Sequence, residues 1–320
     1  MRILLTGVSG FAGSALLPRL IEQGHEVRAL ARDRARVERA LAYGGENADS
    51  RVGIDDLELV IGDTLTGAGL HRAMRDVEVA YYLIHSMEPS SGDAFPARER
   101  ASAETFADAA RAGGVHRIVY LGGPIPRERG QTSQHLSSRY EVERILLATV
   151  PDSVALRASI VIGARSRSFR FLVRLVERLP VLTLPAWRRF RTQPIDERDV
   201  LEMLVACASS DSISGQSLEI GGPDVLSYRE IVERIAELML LGRPSVGLSV
   251  TFTPIVARLA AVLAKERPEL VLPLMEGLTG DLLVRDSDVA EKLGVELHSF
   301  DSAVEHALYE WEKVERLAAR

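Results

Sequence analysis

Eight residues, Thr6-Gly7-Val8-Ser9-Gly10-Phe11-Ala12-Gly13, stand between an apolar run, Ile3–Thr6, and a stretch from Ala12 to Gly24 that puts Leu16, Leu17, Leu20 and Ile21 on one helical face. Glycines at a strand-to-helix junction permit a tight turn, let the backbone approach a pyrophosphate and let the helix pack closely on the strand. The first N–H groups of the helix then face the anion. A second apolar run, Glu26–Ala31, follows the helix, and Gly24 is placed to cap its C-terminus. This order of elements predicts a βαβ unit whose turn holds a dinucleotide, with Gly7, Ser9, Gly10, Phe11, Ala12 and Gly13 around the diphosphate.

The alternation continues. Further strands are predicted at Leu57–Ile61, Val77–Ile84, Arg117–Leu121 and Ala155–Ile162, with helices at Ala94–Gly113 and Ser137–Ala148. The stretch from Arg32 to Asp56 is charged and contains Gly44, Gly45 and Gly53, so its middle reads as a loop. Beyond Gly163 the pattern weakens. A helix at Ser168–Leu179 leads to the proline-bounded stretch Pro180–Pro185, a strand near Gln193–Ile195 and a helix from Glu197 to Ala208. A short strand at Ser217–Ile220 precedes a helix whose start is marked by Ser227 and Glu230 as a capping box. The remainder reads as helical, with Pro254–Ala264 as a core or groove helix.

The predicted fold class is α/β, a doubly wound parallel-sheet Rossmann domain with a smaller, mostly helical C-terminal substrate part. Residues 1–165 form the dinucleotide-binding domain, with 193–225 returning to it; residues 166–192 and 226–320 form the cap over the cleft. At 320 residues the chain can bury a core without staples, and its one cysteine, Cys207, cannot form an internal disulfide, which fits a reducing compartment. A formal charge of −6 has the wrong sign for a nucleic-acid binder. Arg258 and Lys265 interrupt the most apolar stretch, short of the ~20 residues that span a bilayer. No export signal is read at the start, and the expected location is cytoplasmic.

In NAD-binding versions of this turn, an acidic residue about 20 positions on accepts the ribose hydroxyls. Here the end of the second strand is Ala31, followed by Arg32. A neutral residue and a guanidinium suit the 2′-phosphate of NADP, which Arg grips bidentately, so NADP is the expected cofactor, with NAD as the alternative. The segments TGVSGFAG, Val27–Arg32, Ile61–Asp63, Ala80–Met87, Arg117–Pro124, Leu156–Gly163, Gln193–Val200 and Leu218–Ile231 together resemble an atypical extended short-chain dehydrogenase/reductase. The resemblance is to the NAD(P)H-binding group that includes NmrA-like proteins and relatives of complex I accessory subunits. It implies that Asp63 meets the adenine edge, that Leu83 to His85 border the nicotinamide end and that Gly122–Gly123 close the site from the fifth strand.

Reductases of that family use Tyr-x-x-x-Lys on the helix after the fifth strand and a serine from the strand's end, the tyrosine passing the proton as hydride moves. In SQHLSSRYEVERIL, with Glu143 as the glutamate that trails the lysine, His135 falls at the tyrosine position and Arg139 at the lysine position. The serine position falls on Gly122 or Gly123. Three readings remain open: His135 is an acid/base beside Arg139; Tyr140 with Arg144 serves in a second register; or no residue transfers a proton. Ser9 does not complete a hydrolase elbow. The arginines at 165, 167, 170, 174 and 178 read as a solvated face, with an anionic substrate or acidic partner as the alternative. Trp187 and Met275 read as core residues or as the lining of an apolar pocket. The expected function is an NADP-dependent oxidoreductase on a small apolar or quinone-like compound, or alternatively a non-catalytic NADP(H)-binding sensor or assembly factor.

Overall fold

The computed structural model describes residues 1–44, 52–84, 94–124, 134–247, 280–286 and 288–317. The strands β1 (Arg2–Thr6), β2 (Glu26–Ala31), β3 (Glu58–Ile61), β4 (Val79–Tyr82), β5 (Arg117–Gly122), β6 (Val154–Ala158) and β11 (Ser217–Ile220) form one sheet in the order β3-β2-β1-β4-β5-β6-β11. Every pairing in it is parallel. Strand β4 reads VAYY and is buried throughout, as a strand covered on both faces must be. Alternate residues of β1 serve opposite sides. Ile3 and Leu5 pack toward α1 (Phe11–Glu22) and α7 (Glu197–Ala206), among Leu16, Leu20 and Leu204, while Leu4 packs with Phe106 and Leu146 of α4 (Ala94–Ala112) and α5 (Gln134–Leu147). Gly24, at φ +79°, ends the turn after α1 with its N–H bonded to the Ile21 carbonyl at 2.8 Å.

A further cluster of buried residues joins α6 (Arg167–Arg178), α8 (Tyr228–Leu238) and the C-terminal helix Phe300–Glu312 around Trp187, Phe169, Ile231 and Trp311. The capping box at the start of α8 forms as expected, with Ser227 Oγ accepting from the Glu230 amide and Glu230 Oε2 accepting from the Ser227 amide.

Three sequence expectations are corrected, and one stretch left unassigned holds a strand. The middle of the charged stretch after Arg32 is not all loop: α2 (Arg34–Gly44) forms there, its N-terminus held by Asp33 Oδ1, which accepts from the Ala35 amide at 2.8 Å. The sparse stripe of Val37, Ala40 and Leu41 was masked by the surrounding arginines. Ala155–Ile162 is not one strand. The Ser159 amide bonds to the Ile220 carbonyl, and the chain then leaves the sheet to form β7 (Val161–Ile162) beside β10 (Ile195–Asp196). The stretch between Pro180 and Pro185 contains β8 (Leu182–Leu184), paired with β13 (Ser245–Gly247). The strand expected at Gln193–Ile195 resolves into β9 (Arg191–Thr192), antiparallel to β12 (Leu226–Ser227), and β10. Pro254–Ala264 lies outside the described residues. Among the described residues no helix is long and apolar enough to cross a membrane.

Candidate functional site

The three glycines of the turn have different reasons to be glycine. Gly7 has φ +71°, and a Cβ there would lie 2.4 Å from the Leu83 carbonyl oxygen. A Cβ at Gly13 would lie 2.3 Å from the Gly7 oxygen. Both are therefore demanded by chain against chain. Gly10 is exposed, and a Cβ there would meet only the Gly7 oxygen, at 3.0 Å. Gly10 is also the N-cap of α1 and offers no side-chain cap, so the free N–H groups of the first turn open onto the surface where an anion fits. Behind the turn, Thr6 Oγ1 donates to the Tyr81 carbonyl at 2.8 Å and accepts from the Leu83 amide at 3.3 Å, tying β1 to β4. Ser9, Phe11 and Ala12 are half-buried around this opening.

Arg32 is exposed at the carboxyl end of β2 and makes no ion pair with the described residues. Next to it, the Gly62 amide bonds to the Ala31 carbonyl at 3.0 Å, which brings Asp63 to the same edge. Asp63 Oδ1 accepts from the Leu65 amide at 2.6 Å and from Thr66 at 3.4 Å, so this carboxylate also builds its own turn. Leu83 is buried against Gly7. His85 lies outside the described residues.

At the end of β5, a Cβ on Gly122 would lie 2.8 Å from the Tyr120 ring, whereas one on Gly123 would lie 3.3 Å from Arg139 Nη1. Of the two, only Gly123 opens toward the helix, and it faces the guanidinium of Arg139. His135 sits in the first turn of α5, and its side chain lies outside what is described. The second register, Tyr140 with Arg144, is turned outward: Tyr140 is 44% exposed and Arg144 is exposed as well. Its ring lies 5.9 Å from the Arg157 guanidinium, outside the opening between Gly123 and Arg139. Glu143 is buried and bonded to Arg157.

A shallow, open cleft lies beyond the ends of β5 and β6, between Pro124, Arg157, Ser159 and Glu219 on one side and Leu282–Val284 on the other. Trp187 packs edge-on to Tyr228 at 5.8 Å in the core, and Met275 lies outside the described residues.

The arginine run is not one solvated face. Arg170 and Arg174 stack on Trp311, at 4.4 and 4.9 Å from the ring centre, and both bond to Glu315. Arg165 turns the other way and donates from Nη1 to Ser14 Oγ at 2.8 Å, beside the glycine turn. Near it stands Glu197, whose carboxyl is pushed up from 4.5 to about 7 by burial, against the pull of Arg165 and Arg19. The sequence offered Arg165 only as part of the arginine run and Glu197 only as the start of a helix, because the Arg165–Ser14 contact joins positions 151 apart.

The model of the NAD dependent epimerase/dehydratase family matches residues 3–172, more than half of the chain. The chain belongs to this family. A subunit of Arabidopsis thaliana, NADH dehydrogenase [ubiquinone] 1 alpha subcomplex subunit 9, mitochondrial, is 26% identical over 131 residues, which are 40% of this chain. The aligned segment spans 32% of that relative's length. Among solved structures, UDP-glucuronic acid 4-epimerase from Bacillus cereus in complex with NAD superposes with a TM-score of 0.71 at 16% identity, covering 99% of this chain and 100% of its own. WbmH from Bordetella bronchiseptica in complex with NAD+ gives 0.66 at 15% identity, with 98% of each chain covered. The NAD-dependent NDP-hexosamine 5,6-dehydratase TunA gives 0.67 at 16%, again with 98% of each. These likenesses establish the epimerase-type fold.

Proposed function

We propose that the protein binds NADP(H) at the glycine turn and acts as an oxidoreductase on a small apolar or quinone-like compound. The observation that carries the cofactor choice is Arg32, exposed at the end of β2 after a neutral Ala31, where NAD-binding turns place a carboxylate. When bound, the dinucleotide supplies or accepts hydride. Gly10 leaves room for its diphosphate, Arg32 takes the 2′-phosphate, Asp63 borders the adenine, and Leu83 and Gly122 frame the nicotinamide end.

The choice of substrate follows from proton chemistry. A guanidinium cannot be deprotonated in a protein, so Arg139 holds an oxygen but moves no proton, and Gly123 brings no hydroxyl. His135, one turn before Arg139 in the backbone, is the remaining acid. A quinone or activated alkene takes its proton from solvent once reduced, whereas an alcohol, as in the sugar nucleotides of the named structural neighbours, needs a base. In this reading residues 166–192 and the described part of 226–320 form the cap, apart from Val289–Leu293, which packs with α7 and β11, and the buried thiol of Cys207 is compatible with a reducing, cytoplasmic setting.

A second reading, a non-catalytic NADP(H)-binding sensor or assembly factor, is favoured by one observation: the lysine and serine positions that usually support the proton-passing tyrosine have changed, to Arg139 beside Gly123. Calorimetric titration with NADP(H) and NAD(H) tests the cofactor. Equal affinities for the two would overturn the NADP assignment. A panel of quinones, enones and aldehydes with NADPH, and of UDP-sugars with NADP+, run for wild type and His135→Ala, separates the readings. Turnover lost in the variant makes His135 the acid, equal turnover makes solvent the proton source, and no turnover on any compound leaves the sensor.

A further inference from the structure

The glycine turn has a second layer behind it. Ser14, buried in the second turn of α1, donates its hydroxyl proton to the Gly10 carbonyl at 2.8 Å and accepts from Arg165 Nη1 at 2.8 Å. One hydroxyl thus links the N-cap of α1 to a guanidinium that arrives from the loop between β7 and α6. On the other side of that loop, Glu197, the first residue of α7, lies against Gly163: a Cβ on Gly163 would be 2.1 Å from Glu197 Oε2. The charged groups that face Glu197 are Arg165 from the β7–α6 loop, Arg19 from α1 and its neighbour Asp196. Asp196 is itself held by Arg198 in a bidentate pair.

We propose that Arg165 is a cationic holder of the dinucleotide's diphosphate, acting at the Gly10 turn through Ser14, and that Glu197 is its built-in counter-charge. The inference rests on the dinucleotide reading of that turn. A positive group at the N-terminus of α1 adds to the free N–H groups already there, and a desolvated carboxylate nearby subtracts from the same potential. Because burial raises the Glu197 carboxyl to about 7, the subtraction switches on as pH rises through neutrality. An incoming diphosphate favours the protonated carboxyl, so binding and proton uptake are linked. The family's glycine pattern does not call for this arrangement. Here it couples the segment that begins the cap, at α6, to the loop that holds the cofactor.

The test is calorimetric titration of the full chain with NADP+ from pH 5.5 to 8.5, for wild type, Glu197→Gln, Arg165→Met and Arg165→Lys. Titration of the ligand's own phosphate is common to all four and cancels in the comparison. The wild type should lose roughly three- to tenfold more affinity across this range than Glu197→Gln, the scale of one nearby charge at an effective dielectric constant of about 20–40. Arg165→Met should weaken binding about tenfold at pH 6 and flatten the profile, and Arg165→Lys should recover part of the affinity. Parallel profiles for wild type and Glu197→Gln would overturn the counter-charge, and unchanged affinity in Arg165→Met would overturn the holder. If the wild type binds no dinucleotide at any pH, it is the reading of the turn that fails.

Discussion

Glu143 of α5 and Arg157 of β6 meet as a bidentate pair, Nη2 to Oε1 at 2.6 Å and Nε to Oε2 at 2.9 Å, with only 4% and 14% of their side chains exposed. Ser217 of β11 adds a hydrogen bond to Oε1 at 2.8 Å, and Glu219 lies 3.9 Å from Nη1 of the same arginine. The glutamate that trails the usual lysine is therefore a strut. It fixes the face of α5 that carries Arg139 against the sheet.

Removing one partner of this pair leaves the other charged and buried. Glu143→Ala and Arg157→Met should each cost about 3–5 kcal/mol in denaturant unfolding. The double variant Glu143→Leu/Arg157→Met should cost clearly less than the sum of the two. Additive losses would mean that the two side chains do not act as a unit.

The glycines of the turn should separate by assay. Gly7→Ala and Gly13→Ala drive a Cβ into backbone and should lower stability by at least about 2 kcal/mol in thermal melts. Gly10→Ala should stay within about 1 kcal/mol of wild type, while Gly10→Val should fold and lose dinucleotide binding in a fluorescence titration.

Gly122 and Gly123 should also differ. Gly122→Ser meets the buried Tyr120 ring and should destabilise by roughly 1–3 kcal/mol. Gly123→Ser meets only the flexible end of Arg139 and should be tolerated, restoring a hydroxyl beside the α5 guanidinium. Paired melts check the first statement. Rates of NADPH oxidation with and without the new hydroxyl show whether its loss shaped the chemistry.

Glu197 makes a stability prediction with a definite sign. Its folded value of about 7 lies above an ordinary 4.5, so between these values the folded state holds more protons than the unfolded one. Stability should therefore fall as pH rises from about 4.5 to 7, by up to about 3 kcal/mol if burial is the full cause. Glu197→Gln should remove this slope and be more stable than wild type at pH 8, in urea unfolding at pH 5 and pH 8.

The sheet was legible because β1, β2, β5 and β11 are apolar runs set between glycines and helices at βαβ spacing. The extent of the helices was nearly legible for the same reason. What escaped was short or sparsely marked: α2 has Val37 and Leu41 as its only branched aliphatic residues, set among arginines and alanines, and β7 to β10 are two or three residues long, too short for any periodicity. In the site, the glycine turn, Arg32 and Arg139 could be placed from local order alone. Arg165, Ser14 and Glu197 could not, because their proximity is made by the sheet that packs between them in sequence. The arginine run showed the limit of spacing: one helical period carried both Arg170 and Arg174, yet a single tryptophan near the C-terminus decides where they point.

The seventh strand has a consequence for where this protein can be cut. The family match ends at residue 172, but β6 is covered on its outer side by β11, some 45 residues further on. A fragment stopping at the family boundary would bare the backbone groups of β6 as a new edge, and it would strip Glu143 of Ser217 and Arg157 of Glu219. The stretch that carries the family's sequence signature is thus shorter than the stretch that closes its sheet, and any cut before Ile220 leaves that sheet open.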